Sequence, residues 1–239
     1  MEHYSKNSDS YDFLAAHKIL DDDTLSLMPL PEYSEFGSQE KVFEEWPKYW
    51  LDFHVPATHA SAAYEYLLSR GVTVEQMKQF GLLFDITRLM VVAPYYDVFG
   101  RLAGARGRSI LPDPTKKHHD YSFNGHNNCR MVWYNEQVLN LPGPVVVVEG
   151  QFDCWRVSTV YPKVVANLTA KPSDEKFKKL CDSQEVIQIP DNDDAGDGSI
   201  ATYSKLAKKY GIKHRVVTLD HSVKDPAECH PSYLKGILS

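Results

Sequence analysis

VVVVEGQFD, residues 145–153, and VIQIPDNDDAG, residues 186–196, decide how this chain is read. Each is a short, mostly β-branched apolar run that ends abruptly in carboxylates. A buried parallel strand delivers acids to the carboxyl edge of an α/β sheet in this way, and that edge is where such folds do chemistry. Glu149 and Gly150 close the first run with Asp153 just beyond, and Asp191-Asn192-Asp193 closes the second. Asp191 and Asp193 are two apart, so on an extended chain their side chains share a face and can grip one cation while Asn192 points away. Gly150 lets a phosphate approach Glu149 with no Cβ in the way. Carboxylates brought this close repel one another unless a cation joins them, and their oxygens suit Mg²⁺ or Mn²⁺.

A third stretch, VVTLDHSVKDPAE (216–228), repeats the form of strand first and acids after. Together the three resemble the Toprim domain shared by bacterial-type primases, topoisomerases and some nucleases. EGQFD is similar to the primase EGxxD motif, DNDDAG to DxDxAG, and KDPAECH to the KD segment of phage primase-helicase primase domains. The resemblance carries Glu149, Asp191 and Asp193 over as catalytic and metal-holding residues, then Asp225, with Asp153 and Asp220 less firmly. It implies two Mg²⁺ or Mn²⁺ ions, about 3.5–4 Å apart as in other two-metal sites, that activate a 3′-hydroxyl and stabilise leaving pyrophosphate. Glu149 is then the candidate general base or second-metal ligand.

Composition narrows the class. The 239 residues, 43% hydrophobic, suffice to bury a core. No apolar run approaches the ~20 residues of a membrane span, and MEHYSKNSDSYD lacks the layout of a signal peptide, so a cytoplasmic protein is expected; the primase resemblance implies a bacterial or phage-infected cell. Cys129, Cys154, Cys181 and Cys229 form no CxxC pair, and His118 and His119 have no suitably spaced partner; no zinc is expected. The net charge of −6 is uneven: residues 1–54 hold 12 acids and 4 lysines, which leaves 22 basic residues against 20 acids in 55–239. A basic groove beside the acids is compatible with that balance.

Three segments are expected. Residues 1–57 form an acidic extension, with DDD at 21–23 and an aromatic group of Phe43, Trp46, Tyr49, Trp50 and Phe53 that packs on the body. Residues 58–143 form a smaller α+β subdomain. Thr58 caps a helix with Ala62, Tyr66 and Leu67 inward and Gly71 as its stop, a short helix fits VTVEQMKQFG, and LMVVAPYYDVFGRLAGARGRSI (89–110) is a hairpin turning at 97–100. YLLSRGVTVEQMKQFGLLF (66–84) resembles the helical opening of the primase core. The same resemblance makes this subdomain a basic track for the template, with Arg106, Arg108, Lys116 and Lys117 as phosphate contacts and Tyr121 and Asn124 in the places of a K-Y-x-N stretch. Arg101 reads equally well as a solvated strand charge.

Residues 144–239 alternate strand and helix: strands at 145–149, 164–168, 186–190 and 214–219, helices near 152–160, 173–182 and 197–210, with Gly196 and Gly198 as a turn. That pattern implies an α/β domain whose parallel sheet is flanked by helices. Lys171 could reach a nucleotide phosphate. DNDDAGDGS has Gly196 at the sixth place of a calcium loop, but Thr202 stands where a bidentate Glu is required. The reading is a primase catalytic core of phage, plasmid or bacterial origin that makes RNA primers on single-stranded DNA from nucleoside triphosphates. The family's zinc module and helicase motor are not recognised in these residues, and a separate subunit is expected to supply them. The alternatives are a Toprim nuclease and a non-catalytic nucleic-acid-binding protein; the primase-like residues 66–124 and the intact acids weigh against them.

Overall fold

The computed structural model describes residues 43–169 and 171–239. The DDD run and most of the 1–57 extension lie outside them. Two sheets organise the rest. Strands β1 (Val55–Pro56), β2 (Leu83–Asp85), β3 (Met90–Tyr96), β4 (Leu102–Ser109) and β5 (His118–Asp120) form an antiparallel sheet in that order, preceded by a 3₁₀ turn over Lys48–Phe53. Helices α1 (Ser61–Ser69) and α2 (Val74–Gln79) lie between β1 and β2. The β3–β4 hairpin turns through Asp97, whose carboxylate accepts from the Phe99 and Arg101 N–H groups. Pro94 is tolerated in β3 because β2 pairs only as far as Val92, which leaves an edge position on that side.

The second sheet is parallel, in the order β7-β6-β8-β9, from β6 (Val145–Val148), β7 (Val164–Ala166), β8 (Glu185–Gln188) and β9 (Lys213–Val216). Helices α3 (Gln151–Ser158), α4 (Asp174–Lys178) and α5 (Asp194–Tyr210) connect the strands, and α6 (Pro231–Leu238) closes the chain. All four valines of β6 are buried, since this strand is paired on both sides and covered on both faces. Its sequence therefore shows no alternation. The edge strand β9, KHRV, is charged and partly exposed, which discourages pairing with a further strand.

One hydrophobic core runs from Leu67, Met77 and Val91 to Val146, Trp155 and Ile189, so the α/β sheet and the antiparallel sheet pack as one body. Gln76 reinforces this: its amide donates to the Trp155 carbonyl at 2.6 Å. Trp46 is fully buried against β3 and β4 with Tyr121, while Tyr49 and Phe53 are exposed.

Several boundaries differ from the sequence expectations. Thr58 caps nothing; it lies in a 3₁₀ turn, and α1 begins at Ser61 behind Ala60. Its buried face runs through Ala63 and Leu67, four residues apart, and leaves Ala62 exposed. Gly196 and Gly198 are not a turn but part of the first turns of α5, which starts at Asp194. Asp193 caps that helix, its Oδ1 accepting from Ala195 and Gly196 N–H. A Cβ on Gly196 would collide with the Asp191 carbonyl, so glycine is what permits the acidic loop to fold against the helix.

Candidate active site

The carboxyl edge of the parallel sheet opens into a cavity of about 410 Å³. Its lining includes Glu149 at the end of β6, Asp153 in the first turn of α3, and Asp191 and Asp225 from the loops after β8 and β9. Arg70 from the end of α1, Arg106 and Arg108 from β4, Lys117 and His118 at the start of β5, Lys224 beside Asp225, and the Leu168–Thr169 loop line the same space.

Local hydrogen bonds fix the acids. The Asp191 N–H donates to Glu149 Oε1 at 3.5 Å. Asn192 does point away, and its amide stitches two acidic loops together: Nδ2 donates to the carbonyls of Asp220 and Val223, and its N–H donates to the Lys224 carbonyl at 2.7 Å. Asp225 caps a single 3₁₀ turn by accepting from Glu228 N–H. Crowding shows in their protonation. Burial, then Asp153, Glu149, Asp225 and Asp193, push Asp191 up to about 8. Burial and Asp225 push Asp153 up to about 7. Glu149 is raised by burial and Asp193, and Asp225 by burial and Glu228.

Asp191 Oδ1 is buried with no hydrogen-bond partner, an orphaned carboxyl oxygen beside other carboxyls. Hard divalent cations take such donors. The donor chemistry of Glu149, Asp191, Asp193 and Asp225 therefore fits Mg²⁺ or Mn²⁺, although among the described residues no three acidic, His or Cys side chains stand as a ready-made cage. Asp153 has a different occupation from the one expected of a ligand. Its Oδ2 accepts from Gly150 N–H and its Oδ1 from Ala227 N–H, both at 3.0 Å, so it ties the EG turn to the third acidic loop. Asp220 lies off the cavity and accepts from Ser222 N–H.

The basic residues divide as well. Arg108 faces the cavity, and Phe152 carries its guanidinium at 5.9 Å and that of Arg70 at 5.1 Å from the ring centroid. Arg106 lines the cavity but is held by Asp120 in a two-pronged ion pair at 2.5 and 2.9 Å. Tyr121 is buried, its hydroxyl donates to Asp85 at 2.7 Å, and it does not line this cavity. Lys116, Asn124 and Lys171 are exposed but do not line the cavity, nor does Asp193, which is exposed at the start of α5. Arg70, His118 and Lys224 do line it, and sequence reading passed over all three as site residues. Arg70 and Lys224 carried a signal, the RG ending of the YLLSRG helix and the K of KDPAE.

Comparison with known proteins bears on the fold. Residues 146–230 match the Toprim-like family model. No curated protein matches the chain. Among solved structures, a DnaG primase catalytic domain bound to single-stranded DNA aligns with a TM-score of 0.68 at 20% identity, over 79% of this chain and 75% of that one. The Escherichia coli primase catalytic core aligns with a TM-score of 0.64 at 21% identity, over 74% and 72%. The Aquifex aeolicus primase, with its zinc-binding and RNA polymerase domains, aligns with a TM-score of 0.69 at 22% identity, over 79% of this chain and 57% of that one. At these identities the likeness is one of fold. Residues 146–230 form a Toprim-like domain, and the chain that carries them has the fold of the DnaG primase catalytic core.

Proposed function

We propose that the protein is a primase, a nucleotidyltransferase that builds short RNA primers on single-stranded DNA from nucleoside triphosphates. The observation that carries this reading is the cavity itself. Toprim carboxylates line it together with arginines and lysines, within the fold of primase catalytic cores, one of which was solved with single-stranded DNA.

In this reading Arg70, Arg108, Lys117 and Lys224 bind phosphates, the arginines through their planar forks. Gly150 lines the cavity beside Glu149, where a Cβ would crowd Asp153 Oδ2. Glu149 accepts the proton of the attacking 3′-hydroxyl at Oε2, since its Oε1 already faces the Asp191 N–H and its raised carboxyl is a better base than an ordinary glutamate. Asp153 and Asn192 hold the three acidic loops in register. A divalent cation held by Glu149, Asp191, Asp193 and Asp225 would supply Lewis-acid activation of the hydroxyl and charge neutralisation at the leaving pyrophosphate. The activity belongs in the cytoplasm of a bacterial or phage-infected cell, with a zinc-binding or helicase subunit acting in trans.

The test is primer synthesis by the pure chain on single-stranded DNA with labelled nucleoside triphosphates and Mg²⁺ or Mn²⁺, a candidate partner subunit being added in a parallel reaction. Short RNA products that disappear in Glu149→Gln, with its circular dichroism unchanged, support the reading. Cut template without polymer would replace it with a nuclease, and Glu149→Gln matching the wild-type rate would remove the proposed base.

A further inference from the structure

β4 and β5 run antiparallel with Arg106 opposite Asp120 and Arg108 opposite His118. The two pairs have opposite electrostatics. Asp120 neutralises Arg106 through two hydrogen bonds. Arg108 instead places Nη1 2.9 Å from His118 Nε2. A guanidinium can only donate, so Nε2 must accept, and the ring is neutral with its proton on Nδ1. His118 opens on the cavity beside Lys117, and Arg70 and Lys224 line the same space. Its surroundings enforce the neutral form: partial desolvation, then Arg108, Arg106 and Lys117, outweigh Asp120 and push the ring down to about 4. The free protein thus keeps one proton-accepting nitrogen beside Arg108, Arg106 and Lys117, and commits a donor of Arg108 to hold it.

We propose that His118 is a triphosphate-binding residue of this cleft: it holds Arg108 in the free protein, and on entry of a nucleoside triphosphate it releases Arg108 and takes up a solvent proton. The inference rests on the primase reading and deepens it. The Nε2 lone pair that accepted from Arg108 receives the proton, so Nε2–H becomes a donor to a phosphate oxygen, and the freed Arg108 N–H turns to the same group. Several negative charges brought into the cavity reverse the field that keeps the ring neutral. Arg70, Arg108, Lys117 and Lys224 suit a triphosphate, whereas a backbone phosphodiester brings a single charge.

The experiment is a pH titration of the full chain carrying ¹⁵N-histidine, followed by NMR, with the His118 signal assigned from its loss in His118→Gln. Three samples are compared: protein alone, protein with ATP and Mg²⁺, and protein with oligothymidylate. The expected result is a His118 midpoint raised by about three units, to near neutral, with ATP and Mg²⁺ and unmoved by oligothymidylate. Three units correspond to about a thousandfold tighter ATP binding by the protonated ring than by the neutral one. If ATP shifts the other histidine signals but leaves the His118 midpoint in place, or if oligothymidylate raises it equally, the inference is overturned while the primase reading stands. ATP that shifts no signal also overturns it, and primer synthesis then decides the underlying reading independently.

Discussion

Replacing Lys176 by Met should leave the protein about as stable as wild type near pH 6.5 and clearly less stable near pH 9.5. Lys176 is fully buried on α4. Its Nζ donates to the Cys129 carbonyl at 2.9 Å and to the Asn167 carbonyl, and lies 4.9 Å from the Trp133 ring centroid. Burial pushes the amine down to about 7 against the partial pull of Cys129 and Glu136. The unfolded chain, with an ordinary lysine near 10.4, therefore binds more protons between those two values, and wild-type stability rises with pH across that window. Between pH 6.5 and 9.5 the gain is about 3 kcal/mol. Met cannot titrate and leaves two carbonyls without a donor, at about 1–3 kcal/mol each. At pH 6.5 that loss is offset by relief of the buried ammonium, which costs between 4 and 5 kcal/mol, roughly. At pH 9.5 little relief remains. Urea unfolding of both proteins at pH 6.5, 8 and 9.5 measures the difference, and a gap that stays constant over the three pH values would refute the argument.

The remaining expectations concern the site. Tyr121→Phe should cost about 1–3 kcal/mol in urea unfolding, because Asp85 loses a donor, and should leave affinity for single-stranded DNA unchanged. Arg108→Ala should weaken binding of ATP with Mg²⁺ by about tenfold or more, measured by calorimetry, because a charge-assisted hydrogen bond to phosphate is lost. Arg106→Ala should act mainly on stability, by about 1 kcal/mol, since its guanidinium is committed to Asp120. Gly196→Ala should force the Asp191 loop off the start of α5, lowering stability by about 1–3 kcal/mol in thermal unfolding and primer synthesis by tenfold or more.

What could be read from the sequence was whatever depends on neighbours along the chain. Val145–Val148 announces a doubly covered strand because burial on both faces removes alternation, and the acids that follow announce the sheet edge. Side-chain engagement across the fold was not legible. Tyr121 looks like a site residue until Asp85, in a different strand, takes its hydroxyl, and Asp153 looks like a metal ligand until Gly150 and Ala227 occupy its oxygens. The α5 boundary was misjudged for a related reason. Low helix propensity makes Gly196 and Gly198 read as a turn, whereas the Asp193 cap and the close approach of the Asp191 carbonyl outweigh that propensity.

Charge explains why neither sheet would make the site alone. Toprim-type acids meeting at one edge push one another's carboxyls up, and Asp225 is raised by burial and by Glu228. Arg70 and Lys224 pull Asp225 back toward the charged form. Lys224 belongs to the same loop, but Arg70 comes from the end of α1, on the far side of the sequence, where Gly71 ends the helix with a positive φ of 71°. Phe152, one residue before Asp153, carries the Arg70 guanidinium on its ring. An acid of the parallel sheet is thus kept closer to its working charge state by a cation of the other subdomain, and that cation is aimed by an aromatic side chain of the parallel-sheet domain. Arg70→Ala would accordingly raise Asp225 further, as well as removing a phosphate contact.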